Sequence, residues 1–110
     1  MKAAQRRERD KLEAEVVADA LKLYQVPSIK LKPGAQTGWP DQLFFIPGGR
    51  PLLIELKWPG YEMAPRQYYI HKMLKGLGYD VELHTRKDEA LRAIERAKEL
   101  GAKELSKGRR

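Results

Sequence analysis

The sequence predicts an α/β domain in which a mixed β-sheet is flanked by helices, in the order α-β-β-β-α-β-α. Three observations carry that expectation. A long stretch free of Gly and Pro opens the chain, two apolar β-prone runs bracket the turn-forming residues Pro47-Gly48-Gly49-Arg50-Pro51, and two later helical patterns enclose a short alternating segment. At 110 residues, the chain suits one domain spanning residues 1–110.

Residues 2–24 place Leu12, Val16, Ala20 and Leu23 at near-helical spacing, which predicts an amphipathic helix with mostly charged first turns, ended by Val26-Pro27. Ser28 to Lys32 alternates polar and apolar residues in the two-residue rhythm of a half-buried strand, and Pro33-Gly34 opens a loop reaching Gly38. Leu43-Phe44-Phe45-Ile46 and Leu52-Leu53-Ile54-Glu55-Leu56 then read as two central strands joined as a hairpin. After Trp58-Pro59-Gly60, Pro65 suits the first turn of a helix running to about Leu77, with Tyr69, Met73 and Leu77 on one face and Gly78 after its end. Asp80 to His84 alternates again as a strand. Thr85 and Asp88 resemble a capping box for a last helix that Gly101 is expected to close near Leu100.

Composition narrows the function classes. With 22 Lys+Arg against 15 Asp+Glu, the net charge is +7, which favours a polyanionic partner and above all nucleic acid. Residues 1–13 contribute five basic and three acidic groups, and the basic tail, residues 101–110, contributes four and one. The absence of cysteine excludes a disulfide framework, a thiolate zinc site and a cysteine nucleophile, and it fits a reducing compartment. No apolar run approaches the roughly 20 residues of a membrane-spanning helix, so a soluble cytoplasmic protein is expected, with no membrane partner. No Ser/His/Asp arrangement, phosphate-binding glycine loop or zinc-ligand spacing occurs, and His71 and His84 read as ordinary residues.

The unusual feature is an acid inside an apolar strand. Glu55 lies between Ile54 and Leu56, and strand alternation sets Leu53, Glu55 and Lys57 on one face. A buried carboxylate needs a partner, so Glu55 and Lys57 form either a structural ion pair or part of a reactive site. A turn centred on Gly48-Gly49 sets Asp41 opposite Leu56, and a one-residue bulge would move it across from Glu55. Opposed residues have Cβ atoms about 5 Å apart, close enough for two carboxylates to share a divalent cation.

These residues read Pro40-Asp41, thirteen intervening residues, then Glu55-Leu56-Lys57, and here the chain resembles the PD-(D/E)xK nuclease superfamily. With Gly38-Trp39 before them, the Pro47-Gly48-Gly49 turn, Pro65-Arg66-Gln67 and Gly78-Tyr79-Asp80-Val81, it resembles the small stand-alone VRR-NUC domains of phages and bacteria over about residues 13–84. The Val-Arg-Arg triplet of the family name does not occur.

The resemblance implies a restriction-endonuclease-like fold and a Mg²⁺- or Mn²⁺-dependent DNA endonuclease of a bacterial or phage-infected cell. Flaps, four-way (Holliday) junctions and plain duplex all stay open as substrates. It implies Asp41, Glu55 and the backbone carbonyl of Leu56 as metal ligands, Lys57 as the group orienting water and offsetting phosphate charge, and Gln67 as a support for Lys57 or for the scissile phosphate. Glu15 matches the family's N-terminal helix acid, although spacing alone does not separate it from Glu13. Lys30, Lys32, Arg66 and Trp39 are the candidate DNA contacts, alternation and packing being the alternatives for Lys30 and for the tryptophans. A homodimer is also implied. The rival readings are a non-catalytic nucleic-acid-binding module with a structural Glu55/Lys57 pair, and a protein-interaction domain.

Overall fold

A computed structural model of the chain describes residues 2–32 and 36–108. The Pro33-Gly34 turn and Arg109-Arg110 of the basic tail lie outside the described residues. The seven expected elements occur in the expected order: α1 (Ala3–Tyr24), β1 (Ser28–Lys30), β2 (Gln42–Ile46), β3 (Arg50–Leu56), α2 (Pro65–Gly76), β4 (Asp80–His84) and α3 (Lys87–Ser106). The sheet is ordered β1-β2-β3-β4, antiparallel except for the parallel β3–β4 pair. A parallel neighbour cannot be reached by a tight turn, and α2 supplies the crossover.

Both faces of the sheet are covered, so β3 is buried on both sides. Its even positions, Leu52, Ile54 and Leu56, join Phe44 and Ile46 in a core with Val16 and Ala20 of α1 and Ala90, Leu91 and Ile94 of α3. Its odd position Leu53 packs with Ile70 and Leu74 of α2 and Val81 of β4. A lysine of α3 binds the end of α1: Lys98 Nζ donates to the Tyr24 carbonyl at 2.5 Å. There the chain turns at Gln25, which takes a left-handed φ of 57°.

Several local expectations shift. The buried stripe of α1 is Glu13, Val16 and Ala20, while Leu23 is exposed. The inner face of α2 is Gln67, Ile70, His71 and Leu74, rotated from the expected Tyr69-Met73-Leu77 stripe, and Tyr69 and Leu77 face solvent. Thr85 caps nothing; Arg86 occupies the N-cap of α3 and pairs instead with Asp88 at 3.1 Å.

Gly101 does not close α3, which continues to Ser106. It is buried against the β2–β3 turn, where a Cβ would stand 1.8 Å from the Pro47 carbonyl oxygen. Gly48 meets it from the other side at positive φ, its own Cβ position lying 3.0 Å from the Gly101 carbonyl oxygen. Here glycine serves close approach and not helix termination.

Candidate active site

The site is built on the β2–β3 hairpin. The register pairs Gln42 with Ile54, one position away from the register centred on Gly48-Gly49. Continued by one residue, it sets Asp41 across from Glu55 without a bulge. Asp41 is held at the mouth of the strand, its Oδ2 accepting the Leu56 N–H at 3.0 Å.

Glu55 is 1% exposed and occupies the α2 side of the sheet. Its Oε2 lies 3.3 Å from Lys57 Nζ and accepts from Gln67 Nε2 at 3.0 Å, and its Oε1 lies 3.4 Å from His71 Nε2. Lys57 is itself 8% exposed. Its ammonium stands 5.4 Å from the Tyr61 ring centre and 6.0 Å from that of Trp58, and the two rings meet edge to face. Two aromatic walls and one carboxylate therefore restrain the ammonium.

Gln67 is oriented from both ends. Its Oε1 accepts the Ala64 N–H at 3.1 Å and the Tyr61 hydroxyl, which leaves the amide nitrogen to face Glu55. The same contact to Ala64 satisfies one of the free amides at the start of α2, so the helix begins where the site needs it.

Burial raises the Asp41 carboxyl above its ordinary range, and the charges of Glu55 and Glu13 add to the effect, opposed by the Leu56 N–H and by Lys57. Burial also raises the Tyr61 hydroxyl, with Glu55 and Asp41 adding to it, so it stays a neutral donor.

Asp41 therefore costs the metal-free fold stability when ionised. Its folded pKa exceeds the ordinary 3.8, so the folded state binds the proton more tightly and stability falls as pH rises through 3.8 towards the raised value. Asp41→Asn keeps an acceptor for the Leu56 amide. In EDTA it is expected to melt above wild type near pH 7, with the gap closing as pH falls below about 4; thermal melts at the two pH values check this.

The other candidate residues separate. Glu13, 8% exposed, receives Lys30 Nζ at 2.5 Å, and its Oε2 is buried without a hydrogen-bond partner among the described residues. Glu15 points elsewhere, half-exposed and 3.6 Å from Lys87 Nζ. Lys30 is thus engaged by Glu13, while Lys32 is exposed. Arg66 is exposed and its Nε donates to the Thr37 carbonyl at 3.3 Å. Trp39 packs against the cluster of Leu53, Ile70 and Leu74, and its indole N–H is buried without a partner among the described residues.

His71 is the site neighbour that the sequence reading passed over. Its signal is positional: it follows Gln67 by four residues and shares its helix face. His84 pairs with Glu82 at 2.7 Å and thereby lowers the Glu82 pKa.

The donor set suits a hard divalent cation in part. Asp41 and Glu55 are hard oxygen donors held close enough to repel one another, and a cation between them would relieve that repulsion. Among the described residues no group of three or more His, Asp or Glu is arranged to hold a metal ion. A cation here would therefore rest on two carboxylates and the Leu56 carbonyl.

No protein-family profile matches the chain. It is 32% identical over 72 residues to "Putative nuclease p44" of Acyrthosiphon pisum secondary endosymbiont phage 1, covering 66% of this chain and 76% of the relative. Two solved structures share the fold. One, described as a VRR_NUC domain, has a TM-score of 0.69 at 19% identity, over 80% of this chain and 95% of that one. The other, a VRR_NUC domain protein, has a TM-score of 0.69 at 22% identity, over 84% and 89%. On these relatives taken together, the chain belongs to the same family as this phage putative nuclease, and its fold is that of the VRR_NUC domain structures.

Proposed function

We propose that the protein is a divalent-metal-dependent nuclease that hydrolyses phosphodiester bonds in DNA. The observation that carries this reading is the buried Glu55 carboxylate, with Lys57 at 3.3 Å and Asp41 across the hairpin. The nuclease named among the relatives supports it. Asp41, Glu55 and the Leu56 carbonyl would hold Mg²⁺ or Mn²⁺, whose contribution when bound is to polarise the scissile phosphate and acidify water. Lys57, walled by Trp58 and Tyr61, presents its charge where negative charge grows on the phosphate. Gln67 and His71 hold Glu55 in one orientation. Glu13 takes the place expected of Glu15 as the helix acid nearest the site, because its charge reaches Asp41 and one of its oxygens is unpaired.

Titration calorimetry with Mn²⁺, followed by cleavage of plasmid and branched DNA, tests the reading. Saturable binding that Asp41→Ala abolishes, with metal-dependent cleavage, is the expected result. Salt-sensitive DNA binding with no metal binding would instead mark a non-catalytic module in which Glu55 and Lys57 are a structural pair. Glu13→Gln is expected to weaken Mn²⁺ binding and turnover by about 10- to 100-fold. Glu15→Gln should stay near wild type in the same two assays.

The reading extends to a homodimer that places two sites on two strands. Leu21 and Leu23 of α1 and Ile29 of the edge strand β1 leave apolar surface for it, each at least half exposed. Light scattering on eluted protein should return twice the monomer mass.

A further inference from the structure

Of the residues expected to grip DNA, Lys30 is engaged by Glu13 and Trp39 is packed beneath α2. The outer face of α2 offers what they do not. Its twelve residues include Arg66, Lys72 and Lys75 and no acid. With Gln67, Ile70, His71 and Leu74 turned inward, Tyr68, Tyr69 and Lys72 are left in solvent, and Arg66 flanks them at the N-terminal end.

Tyr68 is 65% exposed and Tyr69 59%, more than the other exposed aromatics Phe45 and Tyr79. Neither side chain has a hydrogen-bond or ring partner among the described residues. Tyr68 directly follows Gln67, whose amide touches Glu55, so this face begins at the edge of the candidate site. Lys72 stands one helical turn beyond Tyr68, roughly 6 Å along the axis, which lets a ring and an ammonium meet a base and its own phosphate.

We infer that the outer face of α2 binds an unpaired stretch of DNA next to the cleavage site, Tyr68 and Tyr69 stacking on bases while Arg66 and Lys72 contact the backbone. The substrate class is duplex DNA carrying a single-stranded arm. A paired duplex hides the faces of its bases and offers two projecting tyrosines only backbone, whereas an unpaired strand offers a π-face at each nucleotide. Aromatic rings interleaved with basic side chains are the combination that single strands reward. An acid-free helix also complements a polyanion along its whole length.

The consequence for cleavage rests on the nuclease reading, but the surface can be tested without cleavage. Fluorescence anisotropy in EDTA would compare a labelled oligothymidine with a labelled hairpin duplex. The Tyr68→Ala/Tyr69→Ala variant should lose about tenfold or more in affinity for the single strand and change little on the duplex. The Tyr68→Phe/Tyr69→Phe variant, which keeps both rings, should bind the single strand as wild type does. Lys72→Gln should flatten the salt dependence of single-strand binding. Unaltered single-strand binding by the alanine variant, an equal loss on both DNAs, or no wild-type binding to oligothymidine would each overturn the inference. Retained single-strand binding in a protein that cuts no DNA would overturn the nuclease reading alone.

Discussion

Glu55→Gln is expected to abolish saturable Mn²⁺ binding and to lower DNA cleavage by about 10³-fold or more, the equivalent of losing some 4 kcal/mol of transition-state stabilisation. Glutamine keeps the size and the hydrogen-bonding oxygen but removes the charge. It also strands Lys57, which is 8% exposed and has this carboxylate as its ion-pair partner at 3.3 Å. Breaking such a buried pair costs about 3–5 kcal/mol, so the variant should melt well below wild type. The double variant Glu55→Gln/Lys57→Met separates the two effects. Removing the stranded ammonium should restore much of the stability and none of the cleavage. Wild-type cleavage in either variant would overturn the assignment of Glu55, and a loss of stability unaccompanied by any loss of metal binding would reduce it to a structural pair.

Gly101→Ala carries the largest purely structural effect. The added methyl would sit 1.8 Å from the Pro47 carbonyl oxygen and 2.7 Å from the carbonyl carbon, both main-chain atoms that cannot swing aside. Either the last turns of α3 or the β2–β3 turn must move. A loss of about 3 kcal/mol, at the upper end of the usual overpacking cost, is expected in denaturant unfolding. Gly76→Ala is the matched control, because nothing among the described residues lies within 4 Å of a Cβ there. It should gain up to about 1 kcal/mol, since alanine suits a helix better than glycine.

Element order was legible because each element carries its own period and punctuation, and the hairpin residues 47–51 announce themselves. Which face of α2 is buried was not. Tyr69, Met73 and Leu77 form a convincing apolar stripe, yet the helix turns a face containing Gln67 and His71 inward, since Glu55 needs polar partners on that side. Tyr and His are alike intermediate in their tendency to be buried, so residue type alone does not choose the inward face. Gly101 misled for a related reason: a glycine required by contact with Pro47 looks, in one dimension, like a helix terminator. The placement of Asp41 and Glu55 across the hairpin was legible from the strand pattern to within one position of register. Which of Glu13 and Glu15 is buried depended on the rotation of α1 against the sheet, which Lys30 discloses by pairing with Glu13.

The spacing of the hairpin site along the chain has a kinetic consequence. Asp41 contacts the Leu56 amide across 15 residues, and Gln67 and His71 reach Glu55 across 12 and 16. Loop-closure entropy rises with the logarithm of length, so these contacts cost less chain entropy than those joining the two ends of the chain. The carboxylates and their supports therefore come together as the hairpin and α2 dock. The distant helices α1 and α3 cover the opposite face of the sheet, and of the acids near the site only Glu13 comes from outside the stretch between Asp41 and His71.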